Sequence, residues 1–140
     1  MENDNNYNEK ELFPPILAVD FDGTLVENKF PNIGDFHEEI LDTVKAYQKK
    51  GWKIILWTCR TDETLAEAVK VCSERGLIFD AVNDNLPEVQ QYFGGSTRKV
   101  FANFYWDDRS ATLHVDSQGR ATLLPAPLTR GDPFITSYGA

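Results

Sequence analysis

One stretch constrains the fold of this chain more than any other: Ile16-Leu17-Ala18-Val19-Asp20-Phe21-Asp22-Gly23-Thr24-Leu25. An apolar run without helical period, delivering two carboxylates two residues apart and then a glycine and a hydroxyl, reads as a buried strand that ends at a reactive site. Strand side chains alternate faces, so Asp20 and Asp22 are expected on one face and Phe21 on the other. Gly23 lets the backbone leave the sheet with dihedrals closed to other residues. Asp and Gly also punctuate ordinary turns, but the full string Asp20-Phe21-Asp22-Gly23-Thr24 after four apolar residues is far more specific than Asp-x-Asp-Gly alone.

Further strand ends of this kind follow. Asp35 with Glu38 three residues on resembles a capping box, and Ile40, Leu41, Val44 and Tyr47 recur at helical spacing up to Gly51. Lys53 to Cys59 is a second apolar strand, ending in Thr58-Cys59-Arg60. Asp62 and Glu63 open a helix that carries Leu65, Ala68, Val69 and Cys72 on one face and closes at Arg75-Gly76. Leu77 to Val82 is a short third strand interrupted by Asp80. Pro87 starts a short helix that stops at Gly94-Gly95. Val100 to Trp106 is rich in β-formers and ends on Asp107-Asp108-Arg109. Ala111–Val115 and Arg120–Leu124, around Asp116-Ser117-Gln118-Gly119, suggest an antiparallel hairpin. Strand–helix units in succession imply an α/β fold, a Rossmann-like parallel sheet in three layers with helices on both faces.

The organisation expected is a disordered tail over 1–13, a single domain over 14–124 and an irregular, proline-containing tail over 125–140. Val26 to Gly34 reads as a loop beside the site. Twenty-two acidic against 14 basic residues give a formal charge of −8, which argues against broad binding to nucleic acid or anionic membranes. No apolar run approaches a membrane span, and residues 1–11 lack the basic start and apolar core of a signal peptide. Cys59 and Cys72 have no metal-ligand spacing, so reduced thiols and a cytoplasmic location are expected. His37 and His114 are expected to have no catalytic role, and Trp52, Trp57 and Trp106 to pack against the sheet.

In an open parallel sheet, ligands bind outside the carboxyl ends of the strands. Asp20, Asp22, Asp107 and Asp108 would meet on that rim. Two unit charges about 4 Å apart repel by about 4 kcal/mol at an effective dielectric near 20, so the cluster calls for a counter-ion. All-oxygen ligands point to a hard cation, Mg²⁺ in particular.

The string Asp20-Phe21-Asp22-Gly23-Thr24 resembles the first motif of the haloacid dehalogenase superfamily, in its phosphatase branch, and the order of the later strand ends is similar to the superfamily's motif set. The resemblance covers about residues 16–110 and is closest to small capless hydrolases of bacteria and phages. Neither 26–34 nor 77–98 is long enough for a substantial cap domain. The resemblance implies a Mg²⁺-dependent phosphomonoester hydrolase in which Asp20 is the nucleophile that forms an aspartyl-phosphate. Asp22 would be the general acid and base, with its carbonyl on the metal. Thr58 would bond the transferring phosphoryl oxygen, and Asp20, Asp107 and Asp108 would hold Mg²⁺. Lys99, with Arg98 as the alternative, would be the cation beside the phosphoryl group. Gly23 and Thr24 would line the substrate site, and Arg60 would hold a second anionic group or pair with a motif carboxylate. The substrate would be a small phosphorylated molecule or a nucleic-acid end such as a 3′-phosphate. An uncapped centre also implies either a phosphate displayed on a larger molecule or a lid supplied by a homo-oligomer. The competing class is a receiver-like phosphoacceptor module, which uses similar residue types on a parallel sheet.

Overall fold

A computed structural model describes residues 12–111 and 113–123. They fall into two compact units, divided between Asp108 and Arg109. That boundary lies inside the 14–124 stretch expected to form one domain.

The first unit holds strands β1 (Ile16–Val19), β2 (Lys53–Leu56), β3 (Ala81–Val82) and β4 (Phe104–Trp106), with helices α1 (Glu38–Lys49), α2 (Asp62–Glu74) and α3 (Pro87–Phe93) between them. The four strands form one parallel sheet in the order β3-β2-β1-β4. Val19 stands beside Leu56 on one side and Trp106 on the other. β1 and β2 are apolar nearly throughout because both faces of the sheet are covered. Leu17, Val19, Ile54 and Leu56 share a core with Leu41 and Val44 of α1 and Ala68 and Cys72 of α2. Ile16, Ala18 and Ile55 pack on the other face with Leu86, Val89 of α3 and Val100. This is the α/β, Rossmann-like arrangement in three layers expected from the alternation of strands and helices. Among the described residues no helix is long and apolar enough to cross a membrane.

The elements differ from expectation at their ends, each for a local reason. α1 starts at Glu38 with His37 as its cap and no side-chain cap bond. The Asp35/Glu38 capping box does not form, because the Asp35 carbonyl is drawn back to the Glu27 amide at 2.8 Å. β3 is shortened because Asp80 turns its carboxylate to the Ile54 amide, 2.8 Å away, in place of a strand carbonyl. β4 begins four residues late: Asn103 exchanges bonds with Ile16 through its amide and its side chain, while Phe101 donates its amide to Asn85 Oδ1 at 2.6 Å. Phe13, expected in the tail, is buried against Tyr92 and Phe101. The rest of the 1–13 tail and the 125–140 tail lie outside the described residues.

In the second unit β5 (Leu113–Val115) pairs antiparallel with β6 (Ala121–Leu123), the expected hairpin. Asp116 holds its turn by accepting the Gln118 and Arg120 amides. Those bonds keep its carboxyl below the usual carboxylate range.

Candidate active site

The chain runs from β1 to β2 and β3 on one side and returns to the other side of β1 for β4. The order therefore reverses between β1 and β4, and the crevice at such a switch point is where sheets of this kind bind ligands. Asp20 follows β1 directly, and Asp107 and Asp108 follow β4. The Asp20 amide donates to the Trp106 carbonyl at 2.9 Å, which fixes the two strand ends side by side. Asp20, Asp107 and Asp108 each present an oxygen within 4.8 Å of the others.

Backbone turns bring these carboxylates together. After Asp20 the chain curls so that the Phe21 carbonyl accepts the amides of Thr24, Leu25 and Val26, at 3.1, 2.9 and 3.1 Å. Phe21, Leu25 and Val26 are fully buried and anchor the curl in the core. Gly23 adopts φ +90°, and a Cβ there would stand 2.7 Å from Asp108 Cγ. Its bare backbone thus admits the Asp108 carboxylate. Thr24 ties the two strand ends: its hydroxyl accepts the Asp108 amide at 3.1 Å and lies 3.4 Å from Asp20 Oδ2. Gly23 and Thr24, expected to line the substrate site, build its acidic floor. His37 supports the curl from below by donating from Nδ1 to the Thr24 carbonyl at 2.9 Å.

The Asp20 carboxyl is pushed up to about 7, first by burial and then by the charges of Asp107 and Asp108 and the close approach of Asp108; the Phe21 amide partly offsets this. The two neighbouring carboxylates thus disfavour a negative charge on Asp20. Three convergent carboxylate oxygens, with no imidazole or thiolate among them, fit a hard divalent cation such as Mg²⁺.

Asp22 does not join them. β1 ends at Val19, so strand alternation does not extend through the curl that follows. Asp22 instead forms a two-pronged ion pair with Arg60, Nε to Oδ2 at 2.7 Å and Nη2 to Oδ1 at 2.8 Å. The Arg60 side chain is 1% exposed. Of the two expectations for Arg60, a substrate anion or a motif carboxylate, the structure pairs it with the carboxylate.

Thr58 follows β2, next to β1. Its amide donates to Asn83 Oδ1 at 2.8 Å and its hydroxyl accepts the Arg60 amide at 3.1 Å. Asn83 sits in the left-handed region at φ 52°, a conformation asparagine tolerates, and its own amide bonds Leu56. Asn83 was not singled out from the sequence; an asparagine directly after a short strand was the available signal. The Lys99 ammonium lies 5.6 Å from the Tyr105 ring centroid. Among the described residues it forms no ion pair with Asp20 or Asp108. Arg109 belongs to the second unit. Cys59 is exposed, whereas Cys72 is buried in α2 with its thiol pushed up to about 12 by desolvation.

No protein-family model and no curated protein matches this chain. A solved structure of a conserved protein from Bacteroides thetaiotaomicron does match, at 41% identity and a TM-score of 0.62, over 70% of this chain and 78% of that one. At that identity and coverage, the chain belongs to the same family as this conserved Bacteroides protein.

Proposed function

We propose that the chain is a Mg²⁺-dependent phosphohydrolase of the haloacid dehalogenase type, without a substantial cap, that works through an aspartyl-phosphate on Asp20. The observation that carries this reading is the Asp20, Asp107 and Asp108 trio at the switch point, with oxygens within 4.8 Å. Asp20 is the carboxylate that directly follows β1, and Asp107 and Asp108 stand where a cation would be held beside it. Bound there, Mg²⁺ would supply charge neutralisation for the carboxylates and the phosphoryl oxygens.

The protein's own part is positioning. An Asp20 oxygen attacks phosphorus as the bond to the leaving group breaks. Water then displaces the Asp20 oxygen and releases inorganic phosphate. Thr58, anchored by Asn83, directs its hydroxyl proton to a phosphoryl oxygen. Thr24 keeps Asp20 and Asp108 in register. Lys99 would have to leave the Tyr105 ring to reach the phosphoryl group.

The strand order favours this reading over a receiver-like phosphoacceptor. Sheets of that kind run 2-1-3-4-5 and carry the acceptor on their third strand, whereas here β3 is a two-residue edge strand and the acids follow β1 and β4. The test is release of phosphate from p-nitrophenyl phosphate with Mg²⁺ and with chelator, for the wild type and Asp20→Asn. Many equivalents released by the wild type, and none by Asp20→Asn or without metal, is the expected result. Full activity in Asp20→Asn would discard covalent catalysis by this residue, and a single stoichiometric phosphorylation would favour the phosphoacceptor.

A further inference from the structure

The resemblance that makes Asp20 a nucleophile assigns Asp22 to protonating the leaving group, and the geometry around Asp22 points elsewhere. Both of its oxygens face N–H donors of Arg60, at 2.7 and 2.8 Å. An oxygen that accepts from a guanidinium presents a lone pair there, not a proton, and a general acid must present its O–H to the bridging oxygen of the substrate.

Arg60 has no slack with which to release this partner. A guanidinium has five N–H donors, and each has an acceptor here. Nε and one Nη2 donor go to Asp22, and the other Nη2 donor goes to the Asn32 carbonyl at 2.9 Å. Nη1 bonds the carbonyls of Thr64 at 3.1 Å and Pro31 at 3.3 Å. The guanidinium also lies 5.0 Å from the Phe21 ring centroid and 5.1 Å from that of Phe30. Swinging Asp22 toward the substrate would strand a buried cation. The pair reads as a pin joining the catalytic curl, Pro31 and Asn32 of the 26–34 loop and the first turn of α2.

We infer that the leaving group departs without a proton from Asp22, so that the substrates of this site are phosphoanhydrides and acyl phosphates rather than alkyl phosphate esters. This rests on the reading of Asp20 as nucleophile. As the Asp20 oxygen bonds to phosphorus, the bond from phosphorus to the bridging oxygen breaks, and its electron pair leaves on a phosphate or carboxylate that is stable as an anion. An alkoxide has no such stability. In the second step water bonds to phosphorus, the electron pair of the broken bond returns to the Asp20 carboxylate, and the water proton passes to a phosphoryl oxygen of the departing phosphate.

The test uses the wild-type protein with Mg²⁺ and measures kcat/KM for acetyl phosphate, p-nitrophenyl phosphate, phenyl phosphate and glycerol phosphate, with Asp20→Asn as control. A working general acid contributes about 10²–10⁴-fold and would level the series. The expected result is a fall of about 10⁴-fold or more from acetyl phosphate to glycerol phosphate. Glycerol phosphate within about tenfold of acetyl phosphate would overturn the inference and leave the phosphohydrolase reading standing. No Asp20-dependent turnover of any of the four would remove that reading, and this inference with it. A second readout is the Arg60 Nε–H resonance in the protein loaded with Mg²⁺ and beryllofluoride. Its persistence is expected, and its loss on loading would show that Asp22 is released to the site.

Discussion

Asp20 makes a prediction that needs no substrate. In the metal-free protein its carboxyl is pushed from 3.8 up to about 7. The folded state therefore holds a proton on Asp20 that the unfolded chain has already lost, and stability changes across that window. The associated stability is fully present below about pH 4, where both states are protonated. It falls as pH rises from about 4 to about 7 and stays lost above. At about 1.4 kcal/mol per pK unit, the interval is worth about 4 kcal/mol. Asp20 is half-buried, so solvent screening reduces this to about 2 kcal/mol. Asp20→Asn removes the titrating charge. In urea denaturation with chelator, the variant should gain on the wild type by about 2 kcal/mol between pH 4 and 7, a midpoint shift of about 1 M. Saturating Mg²⁺ at pH 7.5, roughly half a unit above the raised value, should close the gap, because the ion binds the folded wild type and not the unfolded chain. Parallel curves for the two proteins from pH 4 to 7, or a gap indifferent to Mg²⁺, would refute the reasoning about the trio.

Gly23→Ala puts a methyl group 2.7 Å from Asp108 Cγ at φ +90°; the left-handed backbone alone costs about 1–2 kcal/mol, and calorimetric titration should show weakened Mg²⁺ binding as Asp108 is displaced. Arg60→Met leaves Asp22 without its cation, and breaking a buried pair costs about 3–5 kcal/mol, to be read as a lowered urea midpoint; Arg60→Lys should recover little of it, since an ammonium cannot reproduce the fork. Asn83→Ala loses the bond to the Thr58 amide and the residue type suited to φ 52°, about 2 kcal/mol together, with faster hydrogen exchange at the Thr58 amide as the local readout.

Much of the fold was legible in the sequence because it rests on patterns repeated over many residues. Apolar runs at Ile16–Val19 and Lys53–Leu56, helical spacing over Leu41 and Val44 and over Ala68 and Cys72, and a glycine after each helix are one-dimensional signals of burial on known periods. They led to the parallel sheet, to helices on both faces, and to acids gathered at one rim. Asp20, Asp107 and Asp108 could be anticipated as neighbours because Asp20 directly follows one strand and the Asp107-Asp108 pair directly follows another, and parallel strands end on the same side.

Tertiary structure alone decided which partners the polar groups beyond the strand ends find. Asp22 was expected on the face of Asp20 by strand alternation, but β1 ends at Val19 and Asp22 is not among the three carboxylates that converge. The curl closed by the Phe21 carbonyl turns it to Arg60, 38 positions away in sequence, and no local pattern encodes a partner at that range. The same holds for Thr24 bridging Asp20 and Asp108, for Asn83 under Thr58, and for the five acceptors of Arg60. Apart from the local bonds of Thr24 to Asp20 and of Arg60 to the Thr64 carbonyl, these are hydrogen bonds between segments that meet only once the sheet has formed. Periodicity determines which residues face the core. Which polar group finds which partner depends on how closely separate turns approach, and packing sets that distance.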